Sequence, residues 1–431
     1  MAFTSQRARC CALDRDSLVL TFVLGSTVIL ALVAVYIQSY TERSGLVVTT
    51  VTTYSEKYKE VLSLAKDVEK GVGLVRNLTF TSEVRFELIN TSWALEQWAP
   101  KEEEPTSIPP EMLFREVVYK ATFLLPLNFS IVSGERGFVG MFLAATAGTT
   151  IYINTDYFDP KSPGSRNVLA HELTHVLQFL HFPNIFAWEE TTDSMLAKQA
   201  LIEGDAGLTQ RLYCITTKLC TPSPSTQIDL GNPYIALITF PYVYGERFVF
   251  YLYNYSGWSL VNKAYEKPPT ATSMAMHPEK YLQYLFTGDL GFEEPVVKCE
   301  ACGDRVYSDR LGEYYTLLVL AQRIGVENAT KVAEQWRGDK LVLSKSENTT
   351  HVTWVLCWNT TWASEKASEE FYTSLVQSLK RIGTAKLSES GFEAQVVIVQ
   401  NSQKLYAKIV YSSTWVFINS TLTTQKQLTR D

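Results

Sequence analysis

The sequence predicts an α+β fold, helix-rich in its middle and strand-rich toward its end. Three observations predict it. Residues 168–178, 192–206, 311–324 and 328–336 keep helical spacing of apolar positions, so 190–340 reads as mainly helical. Residues 352–358, 392–399, 405–411 and 415–418 instead alternate with period two, as strands do. Of the 431 residues, 46% are hydrophobic and 19% charged, enough apolar material for a large globular core.

In chain order, the first distinctive stretch is 18–37, twenty positions without a charged residue. At about 1.5 Å per residue it reaches about 30 Å, the hydrocarbon thickness of a bilayer. Arg7, Arg9 and Arg15 precede it and Arg43 follows, a bias that favours a cytoplasmic N-terminus. The expected order is therefore a cytoplasmic N-terminus over 1–16 and a single-pass anchor in the cell membrane over 17–40, with 18–37 in contact with lipid. The remainder is expected outside the cell. Residues 41–110 read as a membrane-proximal segment with an amphipathic helix from 56 and a strand over 79–88, then a solvated charged loop at 100–105. The main domain is expected over 111–345. It contains a strand at 150–154, a Pro/Gly/Ser turn at 159–165 and the helix that follows. A C-terminal α/β segment over 346–431 has a mixed-charge helix at 364–382 among its strands.

The chemistry concentrates on the helix after the turn. His171, Glu172, Leu173, Thr174 and His175 form an HExxH pentapeptide, and the chain has only five histidines. Residues i and i+4 share a helix face, so both imidazoles can close on one metal ion while Glu172 holds a water beside it. The next helix ends on Glu203 and Asp205 among Leu201, Ile202 and Ala206, where carboxylates are costly to bury without a cation. Glu203 is the expected third ligand, which leaves an open position for water, and Zn2+ is the expected ion. Asp205 is expected behind the ligands, holding an imidazole by its other nitrogen. The strand at 150–154 is expected to offer an edge to an extended peptide.

These residues resemble the gluzincins, the thermolysin-like zinc peptidases, whose plan is an HExxH helix followed by a Glu-bearing helix. More closely, the chain resembles a group of bacterial and archaeal membrane-anchored or lipoprotein HExxH proteins. The resemblance rests on 171–178 and 201–206, then on 240–242 with Gly245, 268–270, 277–282, 311–313, 336–339 and a segment from Trp362 to Phe371. It implies a zincin-like catalytic domain acting on a protein or peptide substrate, with Glu172 as general base and His277 as donor to the oxyanion. Tyr242 and Tyr281 are the alternative donors. Two departures stand out. The thermolysin-like pattern has an acid one turn after the ligand Glu, where this chain has Gly207. The acid and amide usual before His277 are missing from 271–276. Besides a peptidase, the sequence accommodates a catalytically weak metal-binding ectodomain that recognises envelope polymers or partner proteins. It also accommodates a zinc hydrolase of another amide or ester bond.

Other features fit an exported chain. Eight N-x-S/T sequons, at Asn77, Asn90, Asn128, Asn254, Asn328, Asn348, Asn359 and Asn419, all follow the apolar stretch. Cys214 with Cys220 and Cys299 with Cys302 read as small-loop disulfides, which leaves Cys357 unpaired. The net charge of −6 argues against nucleic acid as a partner.

Overall fold

A computed structural model describes residues 51–101, 108–187, 189–223, 229, 231–299, 303–387 and 391–426. Over them the chain is α+β, with twelve α-helices and two sheets. Helix α1 (Val51–Arg76) is followed by β1 (Arg85–Ile89), α2 (Thr91–Gln97), α3 (Pro110–Ala121) and α4 (Ile131–Val139). Strands β2 (Ala144–Ala147) and β3 (Thr150–Asn154) form a hairpin around Gly148, whose φ of +59° the tight turn requires. The first sheet runs β1-β3-β2, with β1 parallel and β2 antiparallel to β3. The segment 150–154 is thus the central strand, not an edge; the outer strands are β1 and β2.

Helix α5 (Pro163–His181) starts where Ser162 accepts a hydrogen bond from Gly164 N and Pro163 occupies its first turn. Thr191 caps α6 (Thr192–Thr217) by accepting from Ser194 N. This helix runs well past the expected end at 206, to Lys218 in the left-handed conformation. Helix α7 (Pro233–Glu266) is broken at Ser256 and Gly257. It meets α6 backbone to backbone: a Cβ on Gly204 would collide with the Gly245 carbonyl, and one on Gly245 with that of Ala200. Short helices α8 (Thr272–Met276) and α9 (Pro278–Thr287) follow.

The second sheet is antiparallel, in the order β4-β5-β6-β10-β9-β8-β7. Its strands are β4 (Asp304–Asp309), β5 (Trp336–Glu347), β6 (His351–Trp362), β7 (Thr384–Leu387), β8 (Glu393–Gln400), β9 (Gln403–Ser412) and β10 (Trp415–Gln425). Helices α10 (Gly312–Ile324) and α11 (Val326–Ala333) separate β4 from β5, and α12 (Glu365–Leu379) separates β6 from β7. Leu405, Ala407 and Ile409 of β9 and Val416, Ile418 and Leu422 of β10 turn inward, joining Phe371 and Leu375 of α12 in the main core. That core continues through α10 into α6 and α7, while a second one joins α1, β3 and α5.

Several expectations need correction. β4 and β5 lie in the region read as helical, and the helix expected to reach Trp336 stops at Ala333. Trp336 instead opens a strand, and its indole donates to buried Asp339. β5 also crosses the boundary expected at 345/346. Cys214–Cys220 forms as expected, but Cys299 bonds Cys357, its neighbour in space and 58 positions away, and not Cys302, which lies outside the described residues. The membrane placement is corrected as well. No helix among the described residues is long and apolar enough to cross a membrane, and 18–37 lies outside them. The two disulfides suggest an extracellular protein.

Candidate metal centre

Helix α5 carries His171 and His175 on one face, with ring centroids 4.8 Å apart and ring planes at 84°. Glu203 of α6 approaches both, its Oε2 3.1 Å from His171 Nε2 and 3.5 Å from His175 Nε2. The three ligand atoms lie within 4.8 Å of one another, a spacing that one ion can bridge. Glu203 is buried, whereas the two imidazoles keep about a sixth of their side-chain surface exposed at 17% and 15%.

The electrostatics favour a cation. Burial would raise the Glu203 carboxyl, but the adjacent His175 and hydrogen bonds from both rings overcome it and hold the group down at about 2. Burial would likewise lower His175, but Glu203, then Glu172, push it up to about 9. Positive charge at this spot is thus stabilised even before any metal arrives. Two imidazole nitrogens and one carboxylate oxygen, with one side left open, fit a divalent transition ion with a free coordination position.

Glu172 is buried, at 8% exposure, and its Oε2 accepts from Thr146 Oγ1 at 2.7 Å. The strand β2 therefore orients this carboxylate. Tyr242 of α7 lies over His171, with centroids 6.3 Å apart and planes 25° from parallel.

Behind the histidines the arrangement differs from expectation. Asp205 does not touch an imidazole. His175 Nδ1 meets Gln178 Oε1 at 2.8 Å, and Gln178 Nε2 donates to the Ile202 carbonyl at 2.8 Å and toward Asp205 Oδ2 at 3.4 Å. Asp205 also accepts from Arg76 Nε at 2.6 Å, from the Tyr265 hydroxyl at 2.7 Å and from the Thr209 hydroxyl at 3.4 Å. The side chain that holds His175 is a glutamine on the same helix.

His277, the expected oxyanion donor, precedes α9 without capping it by its side chain, and its Nε2 meets Glu313 Oε1 at 2.6 Å, while Lys280 holds the other oxygen at 3.2 Å. Tyr281 is fully buried and donates to the Lys267 carbonyl, so it has no hydroxyl proton to offer a substrate. Of the three residues considered for that role, Tyr242 has its ring against His171. The motifs at 311–313 and 336–339 are structural: Asp339 accepts from the amides of Leu311 and Gly312 at 2.8 Å each and so caps α10. The stretch 271–276 forms α8, whose Thr272 donates backbone and hydroxyl hydrogens to Asp193 at the start of α6.

Sequence reasoning missed Thr146, Gln178 and Arg76. Only Gln178 carried a local signal, being one turn beyond His175 on the same helix face.

Residues 142–181, spanning β2, β3 and α5, match the family described as eCIS core domain, a hint of a bacterial protein. Residues 299–428, essentially the second sheet with its helices, match the family described as Domain of unknown function (DUF8575). No curated protein and no solved structure matches the chain.

Proposed function

We propose that this chain is a zinc-dependent peptidase of gluzincin-like plan, with His171, His175 and Glu203 as ligands. The observation that carries the proposal is the convergence of these three side chains with Glu172 buried beside them and oriented by Thr146. A zinc ion at this place supplies Lewis acidity, polarising an amide carbonyl and bringing a water toward ionisation near neutral pH. Glu172 takes the water proton and later delivers it to the departing amine. The Thr146 hydroxyl fixes one Glu172 oxygen, and the other is the proposed proton acceptor. Tyr242, lying over His171, is the proposed donor to the developing oxyanion in place of His277. The outer strand β2 adjoins Glu172 and offers backbone pairing to an extended peptide.

The test compares metal content and peptide hydrolysis in the full chain and two variants. Wild type is expected to carry one zinc per chain. Glu203→Ala is expected to lose it, and Glu172→Gln to keep it while hydrolysis falls at least about a hundredfold. A folded wild type that takes up no metal from added zinc would sink the proposal. A metal-loaded protein whose hydrolysis survives Glu172→Gln would remove Glu172 from its role.

A further inference from the structure

We propose that Arg115 and Gln199 form a binding site for the C-terminal carboxylate and adjoining backbone of a peptide substrate. This inference rests on the peptidase reading above and adds a substrate class to it, peptides with a free C-terminus.

Arg115 lies on α3 and is half-buried. A guanidinium cannot shed its charge, so out of solvent it calls for an anionic partner. Among the described residues no acid is in ion-pair contact with it. Its Nη2 meets the Met195 sulfur at 3.7 Å, it shares a hydrogen bond with Tyr307, and its buried Nε has no partner. The two acids whose charge it feels, Asp309 and Glu135, are committed elsewhere. Asp309 accepts from the Thr192 amide and hydroxyl at 2.6 Å each, from the Tyr307 hydroxyl at 3.0 Å and from the Arg310 amide at 2.8 Å. Glu135 accepts from the Tyr234 hydroxyl. An incoming carboxylate would complete the hydrogen bonds of the guanidinium and compensate its charge.

Met195 links this arginine to the metal centre. Met195, Gln199 and Glu203 follow one another at four-residue intervals on α6 and so share one face. Gln199 is 3% exposed, and neither its amide nitrogen nor its amide oxygen has a hydrogen-bond partner. A buried amide with its hydrogen bonds unmade costs stability. The backbone of a bound peptide offers both complements, a carbonyl for Nε2 and an N–H for Oε1. No hydrogen bond holds the side chain, so it can turn toward a ligand without breaking one. The face thus presents three groups in the order a peptide end needs them: a cation beside Met195, an amide, then the metal centre. Met195 to Glu203 is about 12 Å of helix, which an extended peptide covers in about four residues. The bond offered to the metal centre is therefore a few residues from the C-terminus, and its hydrolysis gives a shortened chain and a short peptide with a new amine.

The test uses the full zinc-loaded chain and one N-terminally fluorescein-labelled decapeptide in two forms, with a free C-terminal carboxylate and with a C-terminal amide. Binding is read by anisotropy in the Glu172→Gln background, and cleavage by mass spectrometry with Glu172 present. The free acid is expected to bind about tenfold tighter than the amide and to be cut a few residues from its end. Arg115→Met is expected to bring the free acid down to the affinity of the amide, and Arg115→Lys to keep part of the preference. Gln199→Leu is expected to weaken both forms about fivefold while raising the unfolding midpoint, because it removes a buried amide without partners. Arg136→Met is the control: it removes the cation next to Glu135, which donates to the Pro100 carbonyl, and is expected to leave the ratio between the two forms unchanged. Equal affinity for the two forms in the chain with Arg115, or an unchanged ratio in folded Arg115→Met, overturns the carboxylate site and leaves the peptidase reading intact. If Arg115→Met does not fold, an unchanged ratio in Arg115→Lys decides the same way. Gln199→Leu with a higher midpoint and undiminished affinity removes Gln199 from the site. Tighter binding of the free acid with neither form cleaved sinks the peptidase reading and keeps the site. Binding of neither form overturns the site.

Discussion

His175 carries opposite demands, and they set a pH dependence. In the metal-free protein Glu203 keeps the ring protonated up to about pH 9, whereas a metal requires its nitrogen free. The folded value is raised, so the ion pair's stabilisation is fully present below about pH 6.5 and is lost as pH rises through 9. Metal binding must expel that proton. Apparent affinity is therefore expected to rise about tenfold per pH unit up to about pH 9 and then flatten, as titration at a series of pH values would show. A flat profile between pH 7 and 9 would mean that Glu203 does not hold the ring charged. At this scale the candidate ligands were legible because helical spacing alone puts His171 and His175 on one face. Arg76 was not, because nothing local connects it to a residue 129 positions away.

Among the elements, the packing of α6 on α7 decides where Glu203 stands. Gly204 directly follows the candidate ligand Glu203, and its missing side chain lets the two backbones touch at Gly245. Gly204→Ala is expected to cost about 3 kcal/mol through overpacking and to lower metal affinity, since the helix must retreat at the ligand's neighbour. Urea unfolding and zinc titration would check both, and wild-type stability would show that the contact relaxes freely. Helix existence was readable from periodicity throughout the middle of the chain. β4 and β5 were not, because tertiary pairing took them into the second sheet. β5 shows why: Trp336, Asp339, Leu341 and Leu343 are buried by contacts with α10 and β6, so local alternation is only part of its pattern.

Across the whole molecule, the disulfides are unequal. Cys299–Cys357 closes 58 positions and ties the segment before β4 to the middle of the sheet, whereas Cys214–Cys220 closes 6 at the end of α6. Chain entropy predicts losses of about 4 and about 2 kcal/mol on removing them. Cys357→Ala is expected to lower the unfolding midpoint more than Cys220→Ala. The reverse order would show that the short bridge guards something beyond its own loop, such as Asn167 of α5, whose amide donates to the Thr221 carbonyl.

By itself the sequence brought out the candidate site within one helical turn: two imidazoles on one face with a carboxylate between them, and a second acid-bearing helix to meet them. It also determined the α+β class, because period and composition are local properties. Tertiary structure alone decided which cysteine bonds Cys299, which strand offers an edge, and which side chain holds His175. Those outcomes depend on distances between segments far apart in the chain, which residue spacing does not encode. The imidazole needed a partner at hydrogen-bond length, and only the packing of α5, α6, α7 and α1 settled that it would be Gln178, with Asp205 and Arg76 behind it.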